Sequence, residues 1–294
     1  MIYHKELNMT KLSKFKSKKT QVIAFEDKIL EKQIRSPLRY PGGKSRAARQ
    51  IFRFIPKETK AICSPFLGGG SLELYCISHG IKVYGYDNFR PLIDFWQCLL
   101  DNQNKLADKV EKYHPLKRNQ FYHIQKEQIE SKNKFERATL FFVLNRTSYS
   151  GSTLSGGMAT GGKDGNPRFT ISSIQRLRDF KIDRKKISIK HLDFTKSIPK
   201  HPDILLYLDP PYLIESKLYG VKGDLHRNFD HDKLCQILKN REKWILSYND
   251  SEKIREMYSG YQFVIPKWTY GMSKDKKSRE ILILSNDISI KNSI

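Results

Sequence analysis

The chain has 294 residues, of which 38% are hydrophobic, enough for a core in one large domain or two smaller ones. Lysine and arginine outnumber aspartate and glutamate by 54 to 31, which gives a net charge of +23. Because such an excess of one sign repels itself, it indicates a polyanionic partner such as nucleic acid. No basic amphipathic helix stands out, which disfavours an anionic membrane surface.

The four cysteines are scattered along the chain, mostly in apolar surroundings, and none forms a C-x-x-C pair. We therefore expect buried free thiols rather than disulfides, and no metal site. This use of cysteine fits a reducing compartment. The N-terminus is polar rather than signal-like and no stretch approaches the length of a membrane span, so we expect a cytoplasmic protein without a membrane partner.

Residues 1–35 form a basic N-terminal arm, with eight lysines against four acidic residues. Such a segment either contacts phosphates or is a tail without a role, and both interpretations stay open. From residue 36 to 100 the pattern alternates between strands and helices. It predicts strands at 61–63 and 81–86 and helices at 71–78 and 91–100.

Residues 101–185 differ in character. Lysine-rich helical stretches lead to the apolar run 138–144, and a segment rich in glycine and hydroxyl groups follows from 145 to 170. Loops of this length in compact proteins are usually functional or disordered. A helix is predicted to restart at Ser172, where Ser172-x-x-Gln175 fits a capping box.

Regular α/β structure returns at residue 186. Strands are predicted at 186–190, 204–208, 244–248, 261–265 and 280–284. The last two leave no room for a crossover helix between them, so they are predicted to pair antiparallel at the end of the sheet.

The most informative segment is Asp209-Pro210-Pro211-Tyr212, which directly follows the apolar run 204–208. That run predicts a buried parallel strand, and ligands of open α/β sheets bind just beyond the carboxyl ends of such strands. Asp209 supplies an acceptor, the prolines leave backbone carbonyls unpaired, and Tyr212 supplies an aromatic face. Together they suit a flat group that bears an exocyclic amine. The simpler interpretation is a strand-ending turn.

A glycine-rich turn, Phe66-Leu67-Gly68-Gly69-Gly70, lies between the first predicted strand and the first helix. Glycines there let the backbone approach a ligand at a helix N-terminus. Asp87 follows at the end of the next strand, seventeen positions after Gly70. This is near the spacing at which a carboxylate binds the ribose of a nucleoside cofactor. The alternative for Asp87 is a helix cap before Pro91.

Two further segments supply groups of the same kind. Gly42-Gly43-Lys44 lacks the earlier glycine of a P-loop, so it does not predict nucleotide triphosphate hydrolysis. A turn that presents Lys44 to a carboxylate is the simpler interpretation. Asp193 and Phe194 follow the strand at 186–190 and offer an acceptor and an aromatic face, although Asp193 taken alone is more often a helix cap.

Six segments, in this order, make the chain resemble the Dam-like (D12 class) family of DNA adenine-N6 methyltransferases. They are Arg39-Tyr40-Pro41-Gly42-Gly43-Lys44, Pro65-Phe66-Leu67-Gly68-Gly69-Gly70-Ser71, Tyr86-Asp87-Asn88, Leu144-Asn145-Arg146-Thr147, Asp193-Phe194 and Asp209-Pro210-Pro211-Tyr212. The resemblance covers about residues 36–285 and leaves the basic arm outside. The segment 148–157 lacks the basic and aromatic residues expected of the GATC-recognising members, so the recognition sequence stays open.

The resemblance implies an α/β fold, a Rossmann-like S-adenosylmethionine-dependent methyltransferase sheet formed by residues 36–100 and 186–294. An inserted, mainly helical DNA-recognition domain would occupy residues 101–185. The implied activity is methyl transfer from S-adenosylmethionine to N6 of an adenine that is flipped out of a specific double-stranded DNA sequence. Whether a cognate restriction endonuclease accompanies the protein stays open.

The resemblance also implies roles for the matching residues. The methionine end of the cofactor would be held by Tyr40 and Lys44, and its ribose by Asp87. The other residues that would form the cofactor pocket are Phe66, Gly68, Gly69, Gly70, Asp193, Phe194 and Asp209. The catalytic group would be Asp209, Pro210, Pro211 and Tyr212, which hold the target adenine.

The chemistry of that group follows from the target amine, whose lone pair is delocalised into the ring. The Asp209 carboxylate and a carbonyl of the Pro210-Pro211 segment can each accept one N–H, which localises the lone pair for attack on the sulfonium methyl. Sequence choice is predicted to come from residues 145–170. The predicted readers or backbone contacts are Asn145, Arg146, Tyr149 and Arg168, each of which is otherwise an ordinary polar residue of a loop.

Two other functions are weighed against this one. A cytosine-N4 methyltransferase usually carries serine at the first position of the tetrapeptide, so Asp209 favours adenine. A non-catalytic DNA-binding protein on a methyltransferase scaffold is disfavoured because the ligand-binding residues are intact. The residues concerned are Lys44, Asp87, Asp209 and Tyr212.

Overall fold

The computed structural model of the protein describes residues 33–40, 42–159, 168–213, 229–265 and 280–288. The predicted basic arm lies outside the described residues except at 33–35.

A seven-stranded sheet forms the centre of the fold, with the strand order β3-β2-β1-β4-β5-β7-β6. Its strands are β1 Ala61–Ser64, β2 Lys82–Asp87, β3 Ile187–His191, β4 Leu205–Leu208, β5 Trp244–Asn249, β6 Gln262–Val264 and β7 Glu280–Leu284. The strands β1 to β5 pair parallel, and β7 runs antiparallel between β5 and β6. The predicted α/β sheet and its antiparallel last pair are therefore confirmed.

The helices of the described residues flank this sheet. They are α1 Ala48–Phe52, α2 Ser71–Ser78, α3 Arg90–Glu111, α4 Arg118–Glu130, α5 Lys134–Thr147, α6 Ile171–Arg178, α7 Phe194–Ser197, α8 His231–Lys239 and α9 Glu252–Met257. The helix predicted at 71–78 has these same bounds. The helix predicted at 91–100 is too short, because α3 continues past a kink at Asn102 to Glu111.

The predicted start of α6 is wrong by two residues. Thr170, not Ser172, is the N-cap, and its backbone is extended as a cap requires. The Thr170 hydroxyl accepts from the Ser173 backbone N–H, and the Ser173 hydroxyl accepts from the Thr170 N–H. The capping box is thus Thr170-x-x-Ser173, with a serine where a longer polar side chain is usual.

Both faces of the sheet are buried. Alternate residues of a strand point to opposite faces, so one strand can contribute to two cores. In β4, Leu205 and Tyr207 join the core that includes α3 and α5, whereas Leu206 and Leu208 join the core beneath α8 and α9. The apolar run 138–144 lies inside α5 and is almost fully buried. The inserted helices therefore share one core with the sheet.

Strand order reverses between β1 and β4, since the chain proceeds outward from β1 to β3 on one side and from β4 to β5 on the other. At such a switch point the loops after the two strands separate, and a crevice opens at their carboxyl ends. The loops that leave β1 and β4 here are the glycine-rich turn and the segment Asp209–Tyr212.

Candidate active site

A cavity of about 220 Å³ opens at the carboxyl ends of β1, β2 and β4. All the residues predicted for the cofactor pocket and the catalytic group line it. They are Tyr40, Lys44, Phe66, Gly68, Gly69, Gly70, Asp87, Asp193, Phe194, Asp209, Pro210, Pro211 and Tyr212. The structure thus brings five separate stretches of sequence to one crevice.

The glycine turn is shaped to receive the ring of Tyr40. Gly68 has a φ of +48°, in the left-handed region that glycine adopts without strain. A Cβ on Gly69 would stand 2.8 Å from the Cβ of Tyr40, closer than side chains approach each other. Trp96 fixes the turn from below by donating its indole N–H to the Gly68 carbonyl at 3.0 Å. Glycine is therefore required here by packing as well as by backbone conformation.

Asp87 holds the same turn against the start of α3. Its carboxylate accepts the Gly68 N–H at 3.0 Å and the Phe89 N–H at 2.9 Å. Burial raises the pKa of Asp87 to about 6, against the lowering effect of these two donors. Each carboxylate oxygen keeps a lone pair, so the residue can bind the backbone and still accept a hydroxyl from a ligand.

Asp193 and Phe194 also line the cavity. Asp193 is the N-cap of α7, and its carboxylate accepts from the backbone N–H and the hydroxyl of Thr195 at 2.9 and 2.7 Å. The ring of Phe194 lies 5.6 Å from that of Phe66 and 5.3 Å from that of Phe229. These three phenylalanines give the wall an apolar, aromatic surface. Phe229 belongs to none of the motifs, and sequence reasoning missed it.

Lys44 and Asp209 form an ion pair at the floor of the cavity. The Lys44 ammonium, which is 4% exposed, donates to the two Asp209 oxygens at 2.8 and 2.9 Å and to the Tyr212 hydroxyl at 2.7 Å. Lys44 also lies 3.3 Å from a carboxylate oxygen of Glu280. The predicted turn that presents Lys44 to a carboxylate exists, and the carboxylate is one of the protein's own.

The carboxyl groups at this floor have higher pKa values than they would have in water, so their neutral forms are favoured. Burial raises the pKa of Asp209 to about 6, and the charge of Glu280 adds to the rise while Lys44 opposes it. Burial raises the pKa of Glu73 to about 7, although the Ser64 hydroxyl donates to it. Perturbed carboxyl groups in a crevice are typical of functional sites.

Sequence reasoning missed both glutamates. Glu73 lies within the otherwise apolar helix α2, and Glu280 begins the apolar strand β7. An acid in such surroundings is rarely buried without a partner, which was the available signal. Their partners could not be read from the sequence, because they come from other elements of the fold: Ser64 of β1 for Glu73, and Lys44 and Tyr212 for Glu280.

The four residues predicted to contact DNA lie in different environments. Tyr149 is 73% exposed and Arg168 is also exposed. Asn145 is fully buried, and its amide is hydrogen-bonded to both backbone groups of Arg39 and to the Gly151 carbonyl. That position gives Asn145 a structural task and does not support a reading role.

Arg146 is 7% exposed and donates its Nε–H to the Arg168 carbonyl at 2.9 Å. Burial lowers its pKa to about 10, and the neighbouring guanidinium groups of Arg39, Arg176 and Arg168 lower it further. Arg146 stays charged at neutral pH, and like charges gathered in this way suit an anionic ligand.

Three further observations concern the described residues. All four cysteines are buried free thiols, as predicted. Within the described ranges, His, Cys, Asp and Glu side chains nowhere gather in threes in a way that could hold a metal ion. None of the helices described is both long and apolar enough to cross a bilayer.

The sheet and the pocket define a class of protein. A mostly parallel sheet with an antiparallel pair at one edge, and with acidic and aromatic groups at its switch point, is the architecture of a Rossmann-like methyltransferase. The chain belongs to the D12 class N6 adenine-specific DNA methyltransferases, whose family model matches residues 40–272.

The chain is also similar to a protein named DNA adenine methylase from Haemophilus influenzae. The two are 24% identical over 268 residues, which cover 82% of this chain and 89% of that protein. The resemblance predicted from the motifs is confirmed. The protein is a site-specific DNA methyltransferase that acts on N6 of adenine, and its reaction requires a methyl donor.

Proposed function

We propose that the protein transfers the methyl group of S-adenosylmethionine to N6 of an adenine that is flipped out of a specific double-stranded DNA sequence. The observation that carries the proposal is the single cavity lined by the predicted cofactor and catalytic residues. Both reactants would meet in this crevice, which is what in-line methyl transfer requires.

The residues of the cavity fit S-adenosylmethionine part by part. The Asp87 carboxylate suits the ribose hydroxyls, and the aromatic wall of Phe66, Phe194 and Phe229 suits the adenine ring. Lys44 suits the carboxylate of the methionine end, which Tyr40 would cover. When bound, the donor supplies an electrophilic sulfonium methyl group.

The catalytic group would act on the target amine. Asp209 and a carbonyl of the Pro210-Pro211 segment accept one N–H each, which localises the nitrogen lone pair and stabilises the positive charge that develops on it. Stacking on Tyr212 contributes roughly 1–3 kcal/mol. That offsets part of the few kcal/mol needed to rotate the base out of the duplex.

The DNA would lie over residues 145–170. Among the described residues of this segment, Tyr149 offers an exposed ring, and Arg146 and Arg168 offer positive charge for the phosphates. The net charge of +23 supports binding that does not depend on sequence. We further propose residues 101–185 as the recognition insert, a cytoplasmic location, and a cognate restriction endonuclease as a candidate partner.

Donor binding tests the proposal without any knowledge of the DNA sequence. S-adenosylmethionine should raise the melting temperature of the full-length protein, because a ligand that binds only the folded state stabilises it. In Asp87→Ala the rise should be much smaller at the same donor concentration. An unchanged melting temperature in the wild type would instead favour a DNA-binding protein without catalytic function.

A further inference from the structure

Glu280 is a buried acid that contacts two residues of the cavity floor, Lys44 and Tyr212, without lining the cavity itself, and none of the motifs contains it. It begins β7, pairs in register with Asn249 of β5, and is 3% exposed. Its carboxylate accepts a hydrogen bond from the Tyr212 hydroxyl and lies 3.3 Å from the Lys44 ammonium. Glu280 thus contacts two residues of the proposed site from a strand on the antiparallel side of the sheet.

Two carboxylates therefore share one ammonium group and one phenol hydroxyl. Lys44 is nearer to Asp209, at 2.8 and 2.9 Å, and the Tyr212 hydroxyl is 3.3 Å from Asp209. A buried carboxylate is destabilising unless it is paired and hydrogen-bonded. Both carboxylates are hydrogen-bonded or ion-paired in this arrangement. Lys44 has two alternative partners at similar distances, Asp209 at 2.8 Å and Glu280 at 3.3 Å.

The Lys44–Asp209 ion pair occupies the carboxylate that the proposed reaction needs. Both oxygens of Asp209 accept from Lys44, so the carboxylate charge is largely neutralised by the ammonium. Stabilisation of positive charge on the target nitrogen needs that carboxylate to be available. Lys44 must therefore move away from Asp209 before or during the reaction, and another anion must receive it.

We propose that Glu280 is a positioning residue for methyl transfer, which anchors the Tyr212 ring through its hydroxyl and receives the Lys44 ammonium when Asp209 turns to the target amine. The inference rests on the proposed function. No proton is transferred in this exchange: Lys44 stays an ammonium and both acids stay carboxylates. The donor's own carboxylate would share Lys44 with Glu280 in the loaded enzyme.

The exchange is also linked to pH. The charged and titratable groups of the described residues that act on Asp209 are Lys44 from the turn before α1, Glu280 from β7, the adjoining Tyr212, and Glu73 from α2. Glu280 raises the pKa of Asp209, so its neutralisation lowers that pKa. The acid limb of the rate should then move to lower pH.

The test compares Glu280→Gln with Asp94→Asn in the full-length protein. Asp94 is a matched control, because it is 1% exposed and ion-paired with Arg137 at 2.7 Å, whereas Glu280 contacts Lys44 and Tyr212. Glu280→Gln should reduce kcat on the order of 100-fold, as misplaced reactants do. The acid limb of kcat should move to lower pH.

Glu280→Asp retains the charge with a shorter reach. It should return the acid limb toward its wild-type position and recover part of kcat. Asp94→Asn should lose thermal stability while its pH profile keeps the wild-type position. A Glu280→Gln variant with wild-type kcat overturns the proposal. A variant whose kcat falls while its acid limb stays in place, and whose loss of stability equals that of Asp94→Asn, overturns it as well.

A second measurement does not depend on activity. Glu280→Ala and Tyr212→Phe each remove the hydrogen bond between these two residues, so the melting-temperature loss of the double variant should be smaller than the two single losses added together. Additive losses overturn the anchoring role. If the wild type transfers no methyl group but the losses are non-additive, the proposed function fails while the contact between Glu280 and Tyr212 stands.

Discussion

In the proposed reaction, the ionisation state of Asp209 decides whether the site can act. The carboxyl group of an ordinary aspartate loses its proton well below neutral pH. Burial and the charge of Glu280 raise the pKa of Asp209 to about 6. The protonated acid is a weaker acceptor and carries no charge to stabilise the target nitrogen. The residue therefore changes from an inactive to an active form near physiological pH.

This predicts the pH dependence of the reaction. Because the ionised form is the active one, kcat should rise as the pH increases through about 6 and reach a plateau above it. The measurement is kcat with saturating donor and DNA from about pH 5 to about pH 8, in buffers of constant ionic strength. A rate that is flat across this range would contradict the role given to Asp209.

Gly69 is a residue at which one added methyl group should disturb the packing of the cofactor pocket. The Cβ of Gly69→Ala would stand 2.8 Å from the Cβ of Tyr40, so Tyr40 must move from its place over the turn. We expect donor affinity to fall by roughly tenfold, since about 1.4 kcal/mol of contact is lost. Gly260→Ala is the control, because its Cβ meets nothing within 4 Å. Equal donor affinity in the two variants would contradict the account.

At the scale of elements, the strands were the most predictable part of the fold. Apolar runs such as 204–208 and 281–284 are short and bounded by polar or turn residues, which leaves little choice of structure. The end of α3 was missed because residues 101–111 look like a change of composition. Leu106, Ala107 and Val110 are buried and lie on one helical face, so the pattern was present beneath the lysines.

The site was predictable in its parts but not in its connections. The motifs indicated Lys44 and Asp209 separately, yet the two lie 165 positions apart, and no local pattern joins them. Glu280 and Glu73 were missed for the same reason, since their partners come from other elements. Asn145 lies in a matched motif, and only its burial shows that it serves α5 and the segment before α1.

Asn145 predicts how those elements depend on each other. Asn145→Ala removes the hydrogen bonds that join α5 to Arg39 and to Gly151, and leaves buried backbone groups unpaired at about 1–3 kcal/mol each. Thermal unfolding should show a clear loss of stability, whereas the methylated sequence should stay the same. Asn240→Ala, which loses one exposed bond, is the control. An altered sequence preference with full stability would restore Asn145 as a reader.

At the scale of the whole molecule, positive charge is the dominant property. A net charge of +23 favours any duplex, so affinity alone says little about the target. Part of this charge is concentrated around Arg146, whose pKa the guanidinium groups of Arg39, Arg168 and Arg176 lower. Orientation on the DNA would come from such phosphate contacts, and sequence choice from contacts to the bases.

Arg168 is the residue to test for a phosphate contact. Arg168→Ala should weaken binding similarly for all duplexes and reduce the slope of log affinity against log salt by about 1. Arg184→Ala is the control, because Arg184 is already paired with Asp101 at 2.7 Å. The measurement is duplex affinity over a series of salt concentrations. A change in sequence preference with an unchanged slope would make Arg168 a base reader instead.

The central claim is tested most directly by the product that the protein leaves in DNA. A library of random-sequence duplexes is incubated with the protein and S-adenosylmethionine, and every modified base is identified and placed by sequencing. We expect N6-methyladenine within one short recognition sequence, and a loss on the order of 100- to 1,000-fold in Asp209→Ala. A library that carries no methylated adenine, or carries it equally after Asp209→Ala, would contradict the account.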